Sequence, residues 1–184
     1  MKVERASIPD VLLLEPVVHG DGRGFFLESY NRRGFAAATG LDVEFVQDNH
    51  SRSARNVLRG LHYQVRQAQG KLVRVTLGEI WDVAVDLRRG SATFGRWSGV
   101  RLDDRSRRML WVPPGFAHGF LVLSEQAEVQ YKTTDYYAPE HERTLLWNDP
   151  ALAIAWPLDG GVGEPVLADK DRRGTPLARA ETYA

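Results

Sequence analysis

Short apolar segments recur along almost the whole chain, and residues that favour turns separate most of them. Segments of about four to eight residues are long enough for a β-strand and too short for a typical helix. Many short strands in one uninterrupted domain indicate a sandwich or a barrel, whose packed sheets can enclose a ligand cavity. The predicted strands cover residues 11–14, 25–30, 43–47, 57–64, 72–77, 80–87, 109–112, 120–123, 128–133 and 152–156.

Three local patterns predict connecting elements. Residues 31–39 favour a short helix, because an alanine run has high helix propensity and Gly40 follows where glycine usually ends a helix. Gly78 and Glu79 separate two strand-like segments, and glycine in the first position favours a type II′ turn, so we expect a tight hairpin there. The tail, about residues 158–184, should wrap the domain as a loop with a short helix.

Composition restricts the class of protein. The 184 residues are 43% hydrophobic and 26% charged, which is ordinary for one globular domain spanning residues 1–184. Twenty-four basic residues balance twenty-four acidic ones, so we expect no attraction to nucleic acid or to an anionic membrane. The chain has no cysteine, no apolar run of membrane-spanning length and no apolar signal segment at its start. We therefore expect a cytoplasmic protein.

Charged residues interrupt one of the predicted strands. Arg59 and His62 lie within the apolar segment 57–64, and Lys71 follows soon after. Because an unpaired charge is costly to desolvate, several such groups together indicate a polar cavity for an anionic ligand. A lone strand histidine is more often a hydrogen-bonded core residue, but its charged neighbours favour a chemical role. Alternation predicts two faces for this strand, with Leu58, Gly60, His62 and Gln64 on one and Arg59, Leu61 and Tyr63 on the other.

A second motif, Pro113-Pro114-Gly115-Phe116-Ala117-His118-Gly119, resembles the second conserved motif of the cupin superfamily. Metal-binding cupins carry a His-x-His pair and a glutamate in their first motif, whereas this chain reads His62-Tyr63-Gln64 at the matching place. Zinc and iron sites usually gather three or more nitrogen, oxygen or sulfur ligands. We therefore expect no metal. His19, His50 and His141 lie in polar, loop-like contexts and are expected at the surface.

Two further segments are ambiguous by themselves. Tyr131 lies in a predicted strand from which a phenol could enter a barrel interior, but tyrosine favours strands in any case. The segment 167–174 resembles a solvated run of charges.

Several motifs in order resemble the dTDP-4-dehydrorhamnose 3,5-epimerase family over about residues 8 to 175. They are Asp21-Gly22-Arg23-Gly24-Phe25-Phe26-Leu27-Glu28, Gln47-Asp48-Asn49-His50-Ser51-Arg52-Ser53, Leu58-Arg59-Gly60-Leu61-His62, Gln69-Gly70-Lys71, Asp82-Val83-Ala84-Val85-Asp86-Leu87-Arg88, residues 113–120, Tyr131-Lys132 and Lys170-Asp171.

The resemblance implies a mainly β fold, a cupin-type jelly-roll barrel of antiparallel strands with a few short helices. It also implies a homodimer whose subunits share an extended sheet. The implied substrate is a thymidine diphosphate sugar with a ketone at carbon 4, epimerised without a cofactor. A ketone acidifies the hydrogens on carbons 3 and 5, because the resulting anion is delocalised as an enolate.

The resemblance also assigns roles to individual residues. His62 would be the general base, paired with Asp171, and Tyr131 would donate a proton on the opposite face. Lys71 would stabilise the enolate oxygen, although a diphosphate contact is its simpler role.

Other positions match substrate contacts of the family. Arg23 and Arg59 carry guanidinium groups suited to phosphate oxygens. Tyr137 matches the aromatic residue that stacks on thymine, and Phe25 either packs beside the base or belongs to the core. The remaining substrate-binding candidates are Glu28, Gln47, Asn49, His118, Glu142 and Lys170.

The chain departs from the family pattern at three places, and alternative functions remain. Asn56 stands where glycine is common, residues 65–67 lack the usual prolines, and Ala168 replaces a frequent serine. The alternatives are a mono-epimerase acting only at carbon 3 or carbon 5, a metal-dependent cupin oxygenase or isomerase, and a sugar-nucleotide binding protein without turnover. The complete set of His62, Tyr131 and Asp171 argues against the last.

Overall fold

A computed structural model of the protein describes residues 1–158 and 164–184, in which β-strand is the dominant regular structure. The strands are β1 (Lys2–Arg5), β2 (Leu12–Glu15), β3 (Val18–Asp21), β4 (Gly24–Leu27), β5 (Gln47–Ala54), β6 (Leu58–Gln64), β7 (Lys71–Leu77), β8 (Glu79–Asp86), β9 (Trp97–Asp103), β10 (Met109–Val112), β11 (Phe116–Val122), β12 (Gln126–Thr133) and β13 (Glu142–Thr144). The helices are α1 (Arg32–Thr39) and α2 (Asp169–Arg172), with short 3-10 helices at Pro139–His141 and Leu177–Arg179.

The strands form two antiparallel sheets and a separate hairpin. The six-stranded sheet has the order β1-β2-β10-β7-β12-β5, and the five-stranded sheet has the order β13-β6-β11-β8-β9. Within residues 1–158 and 164–184, strands β3 and β4 pair only with each other. The two sheets pack as the layers of a jelly roll, which confirms the predicted fold class. Among the described residues, no β-ladder joins the two sheets into a closed barrel. No helix in the described part of the chain is long and apolar enough to cross a membrane.

Apolar side chains fill only part of the space between the sheets. Val73 and Val129 from one sheet contact the same buried cluster as Ile80 and Phe120 from the other. Strand alternation supplies these residues, because every second side chain of each strand points inward. Between β5, β12 and β6 the inward positions are polar instead, so the interior there is a cavity.

Helix α1 covers the outer face of the six-stranded sheet. The Asn31 side chain caps its first turn by accepting a hydrogen bond from the Gly34 amide at 3.0 Å, and Gly40 ends it with φ of 75°. Phe35 is buried against Trp111, with the ring centroids 5.7 Å apart. The predicted helix is therefore confirmed, together with its glycine end.

The C-terminal segment contacts the five-stranded sheet. The Tyr183 hydroxyl donates to the Gln64 carbonyl at 2.5 Å, and the Tyr63 hydroxyl donates to the Glu181 carbonyl at 2.8 Å. Helix α2 in this segment carries the buried Asp171. Residues 159–163 of the predicted wrapping tail lie outside the described residues.

A β-bulge in β6 corrects the predicted faces of that strand. His118 of β11 pairs with His62 and Phe120 pairs with Arg59, so two residues of β6 stand opposite Gly119 alone. The extra residue shifts the alternation. Arg59 and His62 therefore line the same cavity, and Leu58, which also borders it, packs in a buried cluster with Leu121 and Trp147. The prediction that Arg59 and His62 lie on opposite faces was wrong.

Three other predictions from local pattern were also wrong. Gly78 does not close a hairpin, because β7 belongs to the six-stranded sheet and β8 to the five-stranded sheet. Residues 152–156 form no strand, and of residues 43–47 only Gln47 lies in one. Apolar side chains in these segments pack against the sheets without joining a ladder. Strand β5 was missed beyond its first residue because its sequence is almost entirely polar.

Gly78 forms the corner between the sheets, with φ of 79°. A Cβ atom there would lie 2.1 Å from the Gln126 carbonyl oxygen, so Gly78→Ala should lower the free energy of unfolding by at least about 2 kcal/mol. Urea unfolding with an unchanged m-value measures this loss. Gly90→Ala is the control, because nothing lies within 4 Å of a Cβ atom at that position. Equal urea midpoints for the two variants would contradict the conclusion that the corner at Gly78 requires glycine.

Candidate active site

A polar cavity of about 500 Å³ lies between the two sheets. Both sheets, the loop before β13 and the C-terminal segment supply its walls. The predicted site residues that line it are Asn49, Arg59, His62, Lys71, His118, Tyr131, Tyr137, Glu142, Lys170 and Asp171. Gln47 lines a smaller adjoining cavity of about 140 Å³, which shares His62 and Lys71 with the first.

Another cavity, of about 330 Å³, is lined by residues of β5, β7, β10 and β12 that include Asp48, Arg74 and Lys132. It contains neither His62 nor Asp171. The interior cavity is therefore the better candidate, because it alone of the two gathers the histidine, the lysine and a buried carboxylate.

His62 and Asp171 form a hydrogen-bonded pair. Their Nε2 and Oδ1 atoms are 2.6 Å apart, and the Asp171 side chain is only 3% exposed. Burial lowers the pKa of His62 below its ordinary value of 6.5, against the opposing effect of the Asp171 carboxylate. The imidazole is therefore mainly neutral at neutral pH and able to accept a proton, while the carboxylate orients the ring.

Tyr131 enters the cavity from the opposite sheet. It lies on β12, where it pairs with Asn49 of β5 and Val73 of β7. Burial raises the pKa of the Tyr131 phenol above 10.0. The hydroxyl therefore keeps its proton at neutral pH and can donate it to a molecule held between the sheets.

Lys71 lies between these two groups. Its Nζ donates to the His62 carbonyl oxygen at 3.5 Å and lies 6.0 Å from the centroid of the Tyr131 ring. Burial lowers the pKa of Lys71 to about 8, although nearby Asp82 and Glu142 oppose that shift. The ammonium is charged at neutral pH and would stabilise negative charge on a bound oxygen.

A second histidine and aspartate pair lies beside the first. His118 stands directly opposite His62 in the ladder, and its Nε2 is 2.8 Å from Asp82 Oδ1. Asp82 is fully buried. The sequence did not single out Asp82 as a site residue, but the signal was present, since a carboxylate in an apolar strand needs a buried partner.

Three groups shape the mouth of the cavity. Glu142 accepts two hydrogen bonds from Lys170 Nζ, at 3.1 and 3.0 Å. The Tyr137 hydroxyl donates to the same carboxylate at 3.4 Å. Arg59 on β6 donates from Nε to the Ser53 hydroxyl at 2.8 Å. A guanidinium, an ammonium and an aromatic ring thus stand around the opening, where they could receive an anionic ligand with a planar base.

The chain does not bring every predicted residue to this cavity. Arg23 pairs with Asp21 at the tip of the β3–β4 hairpin, and Phe25 on that hairpin is 59% exposed with the Arg107 guanidinium 3.8 Å from its ring. Glu28 accepts a hydrogen bond from the Asn31 side chain at 3.3 Å. These three residues lie apart from the His62 site within one copy of the chain.

Two of the departures noted in the sequence share a backbone conformation. Asn56 has φ of 63°, a region that asparagine tolerates better than most residues and that suits the glycine usual in the family. Gln67 has φ of 51° in the turn after β6. Proline could not adopt the conformation of Gln67, because its ring fixes φ at about −65°.

Among residues 1–158 and 164–184, no group of three or more histidine, aspartate and glutamate side chains could hold a metal ion. The chemistry that the cavity does offer is acid–base chemistry. It combines a neutral imidazole, a protonated phenol and a charged ammonium around one polar space.

Comparisons with known proteins agree with this site. The family model described as dTDP-4-dehydrorhamnose 3,5-epimerase matches residues 5–179. A protein of that name from Pseudomonas aeruginosa is 64% identical over 183 residues, which cover 100% of this chain and 99% of the relative. One from Shigella flexneri is 53% identical over 184 residues, covering 100% and 99%.

A solved structure extends the likeness to three dimensions. The dTDP-6-deoxy-D-glucose-3,5-epimerase of Legionella pneumophila, in complex with dTDP-4-keto-L-rhamnose, has a TM-score of 0.93 and 49% identity. The match covers 97% of this chain and 93% of that one. With the family model and these relatives, it shows that the chain belongs to the dTDP-4-dehydrorhamnose 3,5-epimerase family.

Proposed function

We propose that the protein epimerises carbons 3 and 5 of a dTDP-4-keto-6-deoxy sugar without a cofactor, in deoxysugar biosynthesis. One observation carries the proposal, namely that a half-buried imidazole and a protonated phenol enter one cavity from opposite sheets. The names of the relatives and the ligand of the Legionella pneumophila structure support the choice of substrate.

The residues account for the reaction in two steps. His62 removes the proton from a carbon beside the ketone, and Asp171 stabilises the imidazolium that forms. Lys71 stabilises the enolate oxygen more strongly than the neutral ketone, which lowers the barrier. Tyr131 then returns a proton to the other face of the same carbon, so that the centre is inverted. His62 and Tyr131 would be restored by exchange with solvent.

The remaining side chains would hold the nucleotide. Arg59 would bind diphosphate oxygens through its guanidinium fork, and Tyr137 would stack on thymine. Gln47, Asn49, His118, Glu142 and Lys170 would hydrogen-bond the polar groups of the substrate.

We further propose that the protein is a homodimer in which the β3–β4 hairpin reaches the cavity of the other copy. Phe25 and Phe26 on this hairpin are 59% and 70% exposed, and the hairpin pairs with no other strand in the described part of its own chain. Large exposed apolar side chains favour an interface. Docking of the hairpin on a second copy would bring Arg23, Phe25 and Glu28 to a site that one copy leaves without them.

Incubation of the protein with dTDP-4-keto-6-deoxyglucose in heavy water should place deuterium on both carbon 3 and carbon 5, as followed by proton NMR. His62→Ala should slow this exchange at least about a hundredfold, because the general base is lost. Binding of dTDP, measured by calorimetry, should remain within about threefold of wild type, because His62 is not assigned to the nucleotide.

His141→Ala is the matched control, since His141 lies outside the residues that line the cavity. Washed-in label at only one carbon would show a mono-epimerase. Absence of label with any 4-keto nucleotide sugar would overturn the proposed function.

The rate should depend on pH in two limbs. kcat/KM should fall as the pH drops through the lowered pKa of His62, below 6.5, because the base becomes protonated. It should fall again as the pH rises through about 8, because Lys71 loses its charge. In Lys71→Arg the alkaline limb should disappear below about pH 10, since arginine stays protonated there. An unchanged alkaline limb in that variant would assign it to another group.

Mixing of two inactive variants tests the exchange of hairpins. Arg23→Ala should lose substrate affinity and His62→Ala should lose the base, yet a mixed dimer would contain one intact site. An equimolar mixture that exchanges subunits should recover about a quarter of wild-type activity, because about half of the dimers are mixed and each has one good site of two. A mixture no more active than its components, although sedimentation shows dimers, would mean that Arg23 does not act across the interface.

A further inference from the structure

Gln64 stands two residues after His62 on β6, and its side chain is engaged entirely by backbone groups. The residue is only 3% exposed. Its Nε2 donates to the carbonyl oxygens of Gln67, at 2.8 Å, and Tyr136, at 3.2 Å. Its Oε1 accepts from the Ala138 amide at 2.9 Å. One amide therefore binds the backbone on both sides of Tyr137.

We propose that Gln64 is a positioning residue, which fixes the 136–138 backbone and thereby holds the Tyr137 ring over the nucleotide end of the cavity. The inference rests on the proposed function, because it assigns the base of a dTDP sugar to that ring. Gln64 itself touches no substrate in this account.

The fixed segment is held from both sheets. Gln64 lies in the five-stranded sheet, whereas Gln47, which accepts from the Tyr137 amide at 3.0 Å, lies in the six-stranded sheet. The Gln69 side chain adds a hydrogen bond to the Asp135 carbonyl at 2.9 Å. These bonds join the segment to both walls of the cavity at successive residues.

The Tyr137 side chain itself has little to hold it. It is 53% exposed, and none of the ring-to-ring contacts in the described residues involves it. Its hydroxyl makes one long hydrogen bond, 3.4 Å, to Glu142. The direction of the ring is therefore set mainly by the backbone, which is what the Gln64 amide fixes.

Only an amide side chain fits this position. It must donate twice and accept once, which a carboxylate cannot do when ionised. An apolar residue of similar length would remove the hydrogen bonds of the Tyr136 carbonyl and of the amide of the buried Ala138. The 136–138 segment would then be poorly ordered, and the Tyr137 ring would adopt many orientations. Ordering the segment when the nucleotide binds would cost free energy and so weaken binding.

The test combines Gln64→Glu and Gln64→Leu with Tyr137→Ala. Each Gln64 variant should raise the Kd for dTDP and the KM for the dTDP-4-keto sugar about tenfold, a loss of the size expected for base stacking. kcat should stay within about twofold of wild type, and the affinity for inorganic pyrophosphate should not change. The His62–Asp171 pair and the phosphate contact of Arg59 are both left in place by these substitutions. Gln67→Glu is the matched control for Gln64→Glu, because it introduces the same charge nearby at a side chain that is exposed.

The double variant of Gln64→Leu and Tyr137→Ala decides how Gln64 acts. If Gln64 works through Tyr137, the double variant should bind dTDP no more weakly than Tyr137→Ala alone. Fully additive losses, or a fall in kcat with unchanged affinity for dTDP, would overturn the inference and leave the proposed function standing. Failure of the wild-type protein to bind dTDP would overturn the proposed function and this inference with it.

Discussion

The bulge in β6 is the constraint on which the cavity depends. Gly60 and Leu61 stand together opposite Gly119, and a Cβ atom at Gly60 would lie 2.6 Å from the His118 carbonyl oxygen. Close backbone contact of this kind requires glycine. The bulge turns Arg59 and His62 to the same side of the sheet. Regular alternation would have left one of these two side chains in the cavity wall and the other among the apolar side chains behind it.

Burial shifts the pKa of each reactive group in the direction that its role in proton transfer requires. It lowers the pKa of His62, raises that of Tyr131 and brings that of Lys71 to about 8. The same desolvation thus yields a neutral base, a neutral acid and a cation that coexist near neutral pH. Asp171 opposes the shift in the pKa of His62 and Asp82 opposes that of Lys71, whereas the Arg59 guanidinium opposes that of Tyr131.

Short apolar segments predicted a sandwich or barrel, an alanine run predicted helix α1, and the charged residues Arg59, His62 and Lys71 indicated a polar cavity. The family resemblance supplied most of the other residues that line it. Prediction from the sequence failed where the structure depends on contacts between residues that are distant in the chain. The alternation of Arg59 and His62 could not reveal a bulge, and Gly78 has the same preference for a sheet corner as for a hairpin turn. The role of Gln64 was hidden because its partners are backbone groups. The roles of all the site residues, the dimer and the cytoplasmic location stay predictions.

The partners of the central hydrogen bond are 109 residues apart, and Asp171 lies close to the C-terminal end of the described chain. The base on β6 is therefore present long before its carboxylate during translation. A nascent chain with both sheets formed would still lack this carboxylate until Asp171 left the ribosome. Proton transfer by His62 therefore requires the chain at least as far as Asp171, and a product truncated before that residue would have a cavity without the partner of its base.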